Sequence, residues 1–354
     1  MGSGEALLRP TSAGLWCEPG GFHVDPWGPV ERAVLTHAHA DHARPGMAHY
    51  LATAPSLPIL RRRLGPDAAI EAIAYGEVRR IGEVDVSFHP AGHVLGSAQL
   101  RIAYRGEVWV VSGDYKRAPD PTCAPFEPVR CDTFVTEATF GLPIYRWDPP
   151  ERIAAEILAW WDGTRASGRP AVLFAYALGK SQRILAELAR LTDREVYLHG
   201  AIAPIVDLYR EAGVTMLPTR LVADAPAGHR FAGDLVIGTP GSRGSPWMKR
   251  FPAAETALAS GWMRVRGTRR RQSVDRGFVL SDHADWPALL ETVAESEAER
   301  ILVTHGSTEP LVRWLCAQDL DARTLPTAWE RETDELGGEP AAEAAAEDLH
   351  EAGT

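Results

Sequence analysis

The chain has 354 residues, of which 45% are hydrophobic and 24% are charged, a composition typical of a globular protein rather than a disordered or fibrous one. No run of about 18 apolar residues occurs, and the first residues lack the basic and apolar pattern of a secretory signal, so we expect neither a membrane span nor export. The four cysteines form no CxxC pair and are typical of reduced thiols in a cytoplasmic protein.

The net charge of −10 is unevenly distributed along the chain. Eight acidic residues follow residue 331 with no Lys or Arg among them, and without these eight the net charge is −2. The segment 329–354, rich in Ala, Glu, Gly and Pro, is predicted to be a disordered acidic tail. Six arginines cluster within 264–276. Because local basic patches attract phosphate groups whatever the net charge, the composition does not exclude nucleic acid as a partner.

The chain order of predicted elements indicates an α/β protein with an interruption. Short strands separated by turns are predicted over the first 140 residues, for example in ERAVLTH and EVWVVSGD. After Pro149-Pro150, ERIAAEILAWWDGTRASG predicts an amphipathic helix, and strands then alternate with helices to about residue 275, as in a parallel sheet. GFVLSDHADW and RILVTHGS return to strand and loop. Histidine-bearing loops lie in 37–114 and 283–305, so a single site built from both blocks would make the middle segment an inserted domain.

The segment THAHADH brings His37, His39, Asp41 and His42 into six positions at the end of an apolar strand. Residues two apart in an extended loop point the same way, so His37 and His39 are placed to share one metal ion. One ion cannot accept all four side chains together with a substrate, whereas two adjacent ions can. Paired ions about 3.5–4 Å apart are the usual arrangement for hydrolysing phosphate esters.

Further candidate ligands lie at other predicted strand ends. His93 lies in HPAGHVLGSA, Asp114 in VVSGDY and His305 in LVTHGS, and the Asp114 carboxylate is a candidate bridge between two ions. Asp25 in FHVDP is better placed to accept a hydrogen bond from a ligand histidine, and His283 in LSDHAD is a further candidate. None of these residues is specific alone, because a histidine beside glycine is usually an ordinary loop residue.

These motifs, taken together, resemble a known family. THAHADH, AGHVLGSA and SGDY resemble the motifs of the metallo-β-lactamase fold in order and spacing, and TEATFG, SDHAD and VTHG resemble those added in the β-CASP nucleases. The resemblance covers roughly residues 7 to 320. LWCEPGGFHVDPW, GSPWMKRF and SGWMRVRGTRRRQSVDRGFVLSDHADW resemble the bacterial ligase-associated DNA exonucleases.

The resemblance implies a metallo-β-lactamase αββα sandwich, formed by 1–144 and 276–328, with an inserted β-CASP α/β domain at 145–275. It also implies two Zn²⁺ ions, with Mn²⁺ as an alternative. The implied ligands are His37, His39 and His93 for one ion, Asp41, His42 and His305 for the other, and Asp114 between them. Asp25 would support the site from behind, and Glu137 would hold His283.

The activity that the resemblance implies is hydrolysis of DNA by a 5′→3′ exonuclease in DNA repair. A metal-activated hydroxide would attack the phosphodiester and His283 would protonate the leaving oxygen, with Asp41, Asp114 and Glu137 as the other catalytic residues. The implied substrate is single-stranded DNA or DNA with a free end, and an ATP-dependent DNA ligase and a helicase are candidate partners.

Three alternatives remain. Crosslink-repair DNA nucleases usually have valine where His305 stands, so this position resembles the RNA-processing branch and favours an RNA nuclease of the same fold. A non-catalytic nucleic-acid adaptor would lack ligands, whereas here every ligand position is filled. A small-molecule hydrolase does not need an insert of over a hundred residues.

Candidate nucleic-acid contacts lie in the middle segment and its end. YALGKSQ places Lys180 and Ser181 at a predicted helix N-terminus, where backbone N–H groups favour phosphate, although a plain turn with a capping serine explains the pattern equally well. Arg243 lies in GTPGSRGSPW, and the remaining candidates, Arg269, Arg270 and Arg271, are otherwise ordinary solvated arginines.

Overall fold

The structure, a computed structural model, describes residues 6–265 and 273–329. Its strands, in chain order, are β1 Leu8–Pro10, β2 Leu15–Cys17, β3 Phe22–Val24, β4 Arg32–Val34, β5 His49–Thr53, β6 Ile70–Ile73, β7 Val78–Ile81, β8 Val84–Pro90, β9 Ala98–Tyr104, β10 Glu107–Val111, β11 Thr133–Ala138, β12 Ala171–Phe174, β13 Val196–Leu198, β14 Thr219–Leu221, β15 Leu235–Gly238, β16 Glu255–Ala259, β17 Arg276–Phe278, β18 Arg300–Gly306 and β19 Asp321–Thr324. Its α-helices are α1 Leu57–Leu64, α2 Pro150–Ala166, α3 Lys180–Leu188, α4 Ala203–Glu211, α5 Trp286–Ser296 and α6 Thr308–Cys316.

Two of the three sheets face each other. The first has the order β1-β2-β3-β4-β5-β6 and the second the order β19-β18-β11-β10-β9-β8-β7. Alternate residues of β8, Val84, Val86 and Phe88, are fully buried against residues of the first sheet such as Leu15 and Phe22. The period of two along a strand explains this pattern, since every second side chain points to the same face.

Helices cover the outer faces of these two sheets. Helices α5 and α6 bury Leu289 and Leu311 against the second sheet. Helix α1 packs on the first sheet, together with Tyr209 of α4. The resulting layers run helix, sheet, sheet, helix, with the main core between the two sheets.

The third sheet lies between β11 and β18 in the chain and is parallel throughout, with the order β14-β13-β15-β12-β16-β17. Its central strands β12 and β15 are buried at every residue, as expected of strands covered on both faces. Helices α2, α3 and α4 cover one face, and loop aromatics such as Phe231 and Phe251 cover the other. Helix α4 therefore contacts both the first and the third sheets.

The α/β class and the predicted helix after Pro149 are confirmed. The division into domains stays a prediction, and the third sheet itself extends to Phe278, beyond residue 275. The segment predicted as a disordered tail needs one correction: Trp329 is buried in the core between the two facing sheets, and 330–354 lie outside the described residues. Among the helices that the structure describes, none has the length and apolarity needed to cross a membrane.

Candidate metal centre

The predicted ligands meet because of where their strands end. Strands β10, β11 and β18 are parallel neighbours, so their carboxyl ends lie at the same edge of the second sheet. Asp114 follows β10, Glu137 lies near the end of β11 and His305 near the end of β18. Strand β9 is antiparallel to β10, which brings the loop between β8 and β9, with His93, to the same edge.

Four of these side chains form what we call the first ligand group: His37, His39, His93 and Asp114. One potential ligand atom of each lies within 4.8 Å of those of the others. The Nε2 atom of His93 is 3.0 Å from Nδ1 of His39, and Nε2 of His37 is 3.5 Å from Oδ2 of Asp114. These are the four side chains that the resemblance assigns to one ion and its bridge.

The second ligand group consists of His42, Asp114 and His305, whose ligand atoms also lie within 4.8 Å of one another. Nε2 of His305 is 3.1 Å from Oδ1 of Asp114, and Nε2 of His42 is 3.7 Å from Oδ2. Asp41 is adjacent, with Oδ2 3.5 Å from Nε2 of His42. Asp114 belongs to both groups, which is the position that a bridging carboxylate requires.

The rings of two ligand histidines are oriented by hydrogen bonds behind them. The fully buried Asp25 carboxylate accepts from Nδ1 of His42, 2.8 Å away, and from the backbone N–H of Thr36, also 2.8 Å away. Nδ1 of His93 donates to the main-chain oxygen of Asp282 over 2.8 Å. In both rings Nδ1 is thus occupied and Nε2 faces Asp114, as in metal-binding histidines.

The donor set fits divalent metal ions. Nε2 of His37 and Nε2 of His42 are buried and make no hydrogen bond, although buried nitrogens normally have a partner. Burial, followed by the charge of neighbouring imidazoles, lowers the pKa of His39 to about 3 and that of His93 to about 4, so both are neutral near pH 7. Neutral imidazoles and carboxylates are the ligands that zinc accepts.

The electrostatics around His42 also favour a cation. Burial disfavours its charged form, but the carboxylates of Asp41, Asp114 and Asp25 outweigh burial and raise the pKa of His42 to about 10. Burial likewise opposes the ionised form of Asp114, yet His42 and His283 hold the pKa of Asp114 well below its usual range. The site therefore concentrates negative charge that a divalent cation would offset.

His283 and Glu137 lie together beside the ligand groups. Nδ1 of His283 is 2.9 Å from Oε2 of Glu137 and 3.1 Å from Oε1. Oε1 also accepts the backbone N–H of Tyr115 over 2.8 Å, which fixes the carboxylate. The His283 ring centroid is 4.7 Å from that of His93. The contact between Nδ1 and the Glu137 carboxylate fixes the orientation of the His283 ring.

A single cleft exposes these groups. The residues that line the cleft come from the loops that carry the predicted metal ligands and from the chain segment around α3. They are His39, Asp41, His93, Asp114, Thr139, Tyr176, Leu178, Lys180, Asp282, His283 and His305. The loop between β12 and α3, with Tyr176 and Leu178, and the first residue of α3, Lys180, thus contribute one wall of the cleft.

The residues predicted to contact nucleic acid differ in their position relative to the cleft. Lys180 lines the cleft, with Nζ 3.4 Å from Oδ2 of Asp282. Ser181 is not among the lining residues, and its hydroxyl donates to the Tyr176 oxygen over 2.6 Å. Both residues are buried, Lys180 with 1% exposed and Ser181 with 0%. Arg243 is half-buried, and its burial lowers its pKa while Tyr176 acts in the opposite direction. Arg269, Arg270 and Arg271 lie outside the described residues.

Sequence reasoning missed several residues of the site, among them two that contact the predicted ligands, Asp282 and Trp329. Asp282 positions His93 through its main-chain oxygen, and its carboxylate pairs with Arg183 of α3 at 3.3 Å. Burial opposes the ionised form of Asp282, but Lys180 and Arg183 lower its pKa. The place of Asp282 directly before His283 was the available signal. Trp329 contacts the second ligand group, and no motif marked it.

The chain is similar to known proteins named as a ligase and as a nuclease. No protein-family model matches the chain. A protein of Opitutus terrae named "Probable DNA ligase" is 30% identical over 314 residues, which are 88% of this chain and 30% of that protein. "Ribonuclease TTHA0252" of Thermus thermophilus is 28% identical over 218 residues, 54% of this chain and 48% of that one. The chain thus spans less than half the length of these two relatives, one of which is named as a nuclease.

A solved structure shares the fold. The crystal structure of a protein of unknown function from Enterococcus faecalis V583 matches with a TM-score of 0.57 and 13% identity, over 84% of this chain and 80% of that one. At this identity the likeness concerns the fold alone.

Proposed function

We propose that this chain is a metal-dependent nuclease of the metallo-β-lactamase/β-CASP kind that hydrolyses phosphodiester bonds. The observation that carries the proposal is the sharing of Asp114 by two ligand groups beside the His283–Glu137 pair. In this proposal 1–144 and 276–328 form the αββα sandwich, and 145–275 form the inserted β-CASP domain. The two facing sheets with outer helices and the separate parallel sheet support two units of this kind, although β17, Arg276–Phe278, pairs in the parallel sheet beyond the proposed boundary at 275.

The two ligand groups would hold two Zn²⁺ ions, with Mn²⁺ as the alternative. Such ions, when bound, would activate water as the nucleophile and offset the charge that develops on the phosphate. The chain's own contribution is orientation, since Asp25 and Asp282 fix the rings of His42 and His93. Asp41, which lines the cleft beside His42, completes the second group.

His283 is proposed to protonate the leaving oxygen. Its Nδ1–H donates to Glu137, so the proton for the leaving group comes from Nε2, and Glu137 stabilises the charged imidazole before transfer. The side chain of His283 is only 8% exposed, which limits exchange of that proton with bulk water.

DNA is the proposed substrate, with digestion from a free 5′ end during repair. The relative named as a probable DNA ligase supports this assignment, because a region of that protein resembles 88% of this chain. The same similarity supports a functional link with a DNA ligase, and we extend the proposal to an ATP-dependent ligase and a helicase of the same pathway. RNA is the second candidate, favoured by the similarity to a ribonuclease and by histidine at position 305.

End-labelled oligonucleotides test the proposal directly. Metal-loaded protein would be incubated with single-stranded DNA and RNA of the same sequence, with and without a 5′-phosphate and labelled at either end. We expect stepwise shortening of DNA from the 5′ end. Preferential cleavage of RNA would show that RNA, the second candidate, is the substrate and that DNA is not. Binding of either oligonucleotide without cleavage would favour an adaptor, and inertness towards both would refute a nuclease.

The role of Lys180 gives a separate prediction. Lys180→Gln should raise KM for the oligonucleotide and leave kcat nearly unchanged, because a phosphate contact is lost and the metal ligands are untouched. The slope of log affinity against log salt should become shallower by about 1. Asp282 keeps Arg183 as a partner in this variant, so local folding should be preserved. Lys249→Gln, at an exposed lysine, is the control, and an unchanged salt slope in Lys180→Gln would contradict the contact.

A further inference from the structure

We propose that Trp329 is a positioning residue for the second ligand group, and that it controls the affinity of one metal ion and not of the other. This inference rests on the proposed metal centre. Trp329 follows β19 and lies outside every motif that identifies the site, yet its side chain is buried behind the ligands, with 6% of the residue exposed.

Trp329 contacts two of the three members of the second group. Its ring is nearly parallel to the His42 imidazole, with centroids 5.3 Å apart and planes inclined by 22°. It meets His305 edge to face, with centroids 5.8 Å apart and planes at 87°. One rigid aromatic ring thus supports both histidines. His42 follows β4 of the first sheet, and His305 belongs to β18 of the second sheet.

A hydrogen bond ties the same indole to the residue that orients His42. The Nε1–H of Trp329 donates to the main-chain oxygen of Asp25 over 2.8 Å. Asp25 has a φ of 39°, in the left-handed region that a non-glycine residue seldom adopts, so its backbone needs support from its surroundings. Trp329 supplies that support while the Asp25 carboxylate accepts from Nδ1 of His42.

The first ligand group is oriented mainly by other contacts, because His93 is fixed by the Asp282 main chain. Nδ1 of His37 lies 3.0 Å from the Thr36 hydroxyl, which donates to the Asp25 carboxylate, so His37 is linked to Trp329 indirectly, through Thr36 and Asp25. The ring contacts of Trp329 are with Trp27, His42 and His305. Replacing Trp329 should therefore disturb the second group and leave the first largely intact.

The test is a zinc titration of chelator-stripped protein, followed by metal analysis of the desalted samples. In Trp329→Ala we expect one ion to bind with wild-type affinity and the other about 10–100-fold more weakly, so that close to one ion remains after desalting. Trp329→Phe keeps a ring but loses the bond to Asp25, and we expect a smaller loss at the same ion. The control is Trp161→Phe, which removes an indole bond to the Gly233 oxygen, 3.0 Å long, within the third-sheet segment.

Each outcome decides the inference. Two ions bound with wild-type affinity in Trp329→Ala, or equal weakening of both, would overturn it. If the alanine variant does not fold, Trp329→Phe decides by the same criterion. The readout is metal affinity and does not depend on nuclease activity. A wild-type protein that binds two ions but cleaves no nucleic acid would refute the proposed function and leave the role of Trp329 standing.

Discussion

Asp114→Asn is expected to reduce phosphodiester cleavage to the level of a protein-free control and to lower the number of bound metal ions. Oδ1 of the carboxylate is 3.1 Å from Nε2 of His305, and Oδ2 is 3.5 Å from Nε2 of His37 and 3.7 Å from Nε2 of His42, so the carboxylate faces both ligand groups. An amide has one acceptor oxygen and carries no charge, so it would hold two cations much more weakly than a carboxylate. The measurement is single-turnover cleavage beside metal analysis of the same preparation.

The control for this substitution is Asp193→Asn, which removes an exposed carboxylate. Circular dichroism of the metal-free variants separates a lost ligand from a lost fold, because Asp114 is 5% exposed and its replacement also changes the polarity of the interior. Two bound ions and wild-type cleavage in the Asp114→Asn variant would remove Asp114 from the proposed mechanism.

The grouping of the ligands was predictable because its determinants are local or follow from sheet topology. The short spacing from His37 to His42 confines those side chains to one loop whatever the rest of the fold does. Asp114 and His305 each follow an apolar stretch, and parallel neighbouring strands bring such ends to one edge. The division of the ligands between two ions, in contrast, was implied by the family resemblance and not by the spacing of the residues.

The residues that orient the ligands were harder to predict because they act across long separations in the chain. Trp329 bonds to the main chain of Asp25, 304 residues away, and the carbonyl of Asp282 serves His93, 189 residues away. Every residue has a main-chain oxygen, so the sequence does not indicate which of them accepts a hydrogen bond from a ligand. A tryptophan beside an acidic tail suggests disorder by composition, although the burial of one indole is sufficient to fix its position.

The prediction for Ser181 shows that residue type and local position do not always determine what a side chain binds. Serine at a helix N-terminus is equally suited to bind phosphate or to satisfy the backbone locally, and residue type does not separate the two. In the structure the backbone N–H and hydroxyl of Ser181 both bond to the Tyr176 oxygen. Lys180 is next to it and lines the cleft, because successive residues at the start of a helix point in different directions.

His283→Ala is expected to slow cleavage by about 10²–10⁴-fold while two metal ions remain bound, since general acid catalysis typically contributes that much. The loss should shrink with a substrate whose bridging leaving oxygen is replaced by sulfur, because a thiolate leaves without needing a proton. His229→Ala is a matched control, because its ring is 2.7 Å from the Asp234 carboxylate and thus also forms a histidine–carboxylate pair, within the third-sheet segment.

Metal analysis distinguishes this role from direct ligation. One ring nitrogen of His283 lies within 4.8 Å of ligand atoms of Asp114 and Glu137, so those three side chains form a further group with the geometry of a metal site. If His283 were a ligand, His283→Ala would lose an ion, and sulfur substitution in the substrate would not restore the rate. Retention of both ions together with restoration by sulfur would assign the proton to Nε2 of His283, because a ligand nitrogen has no proton to give to the leaving group.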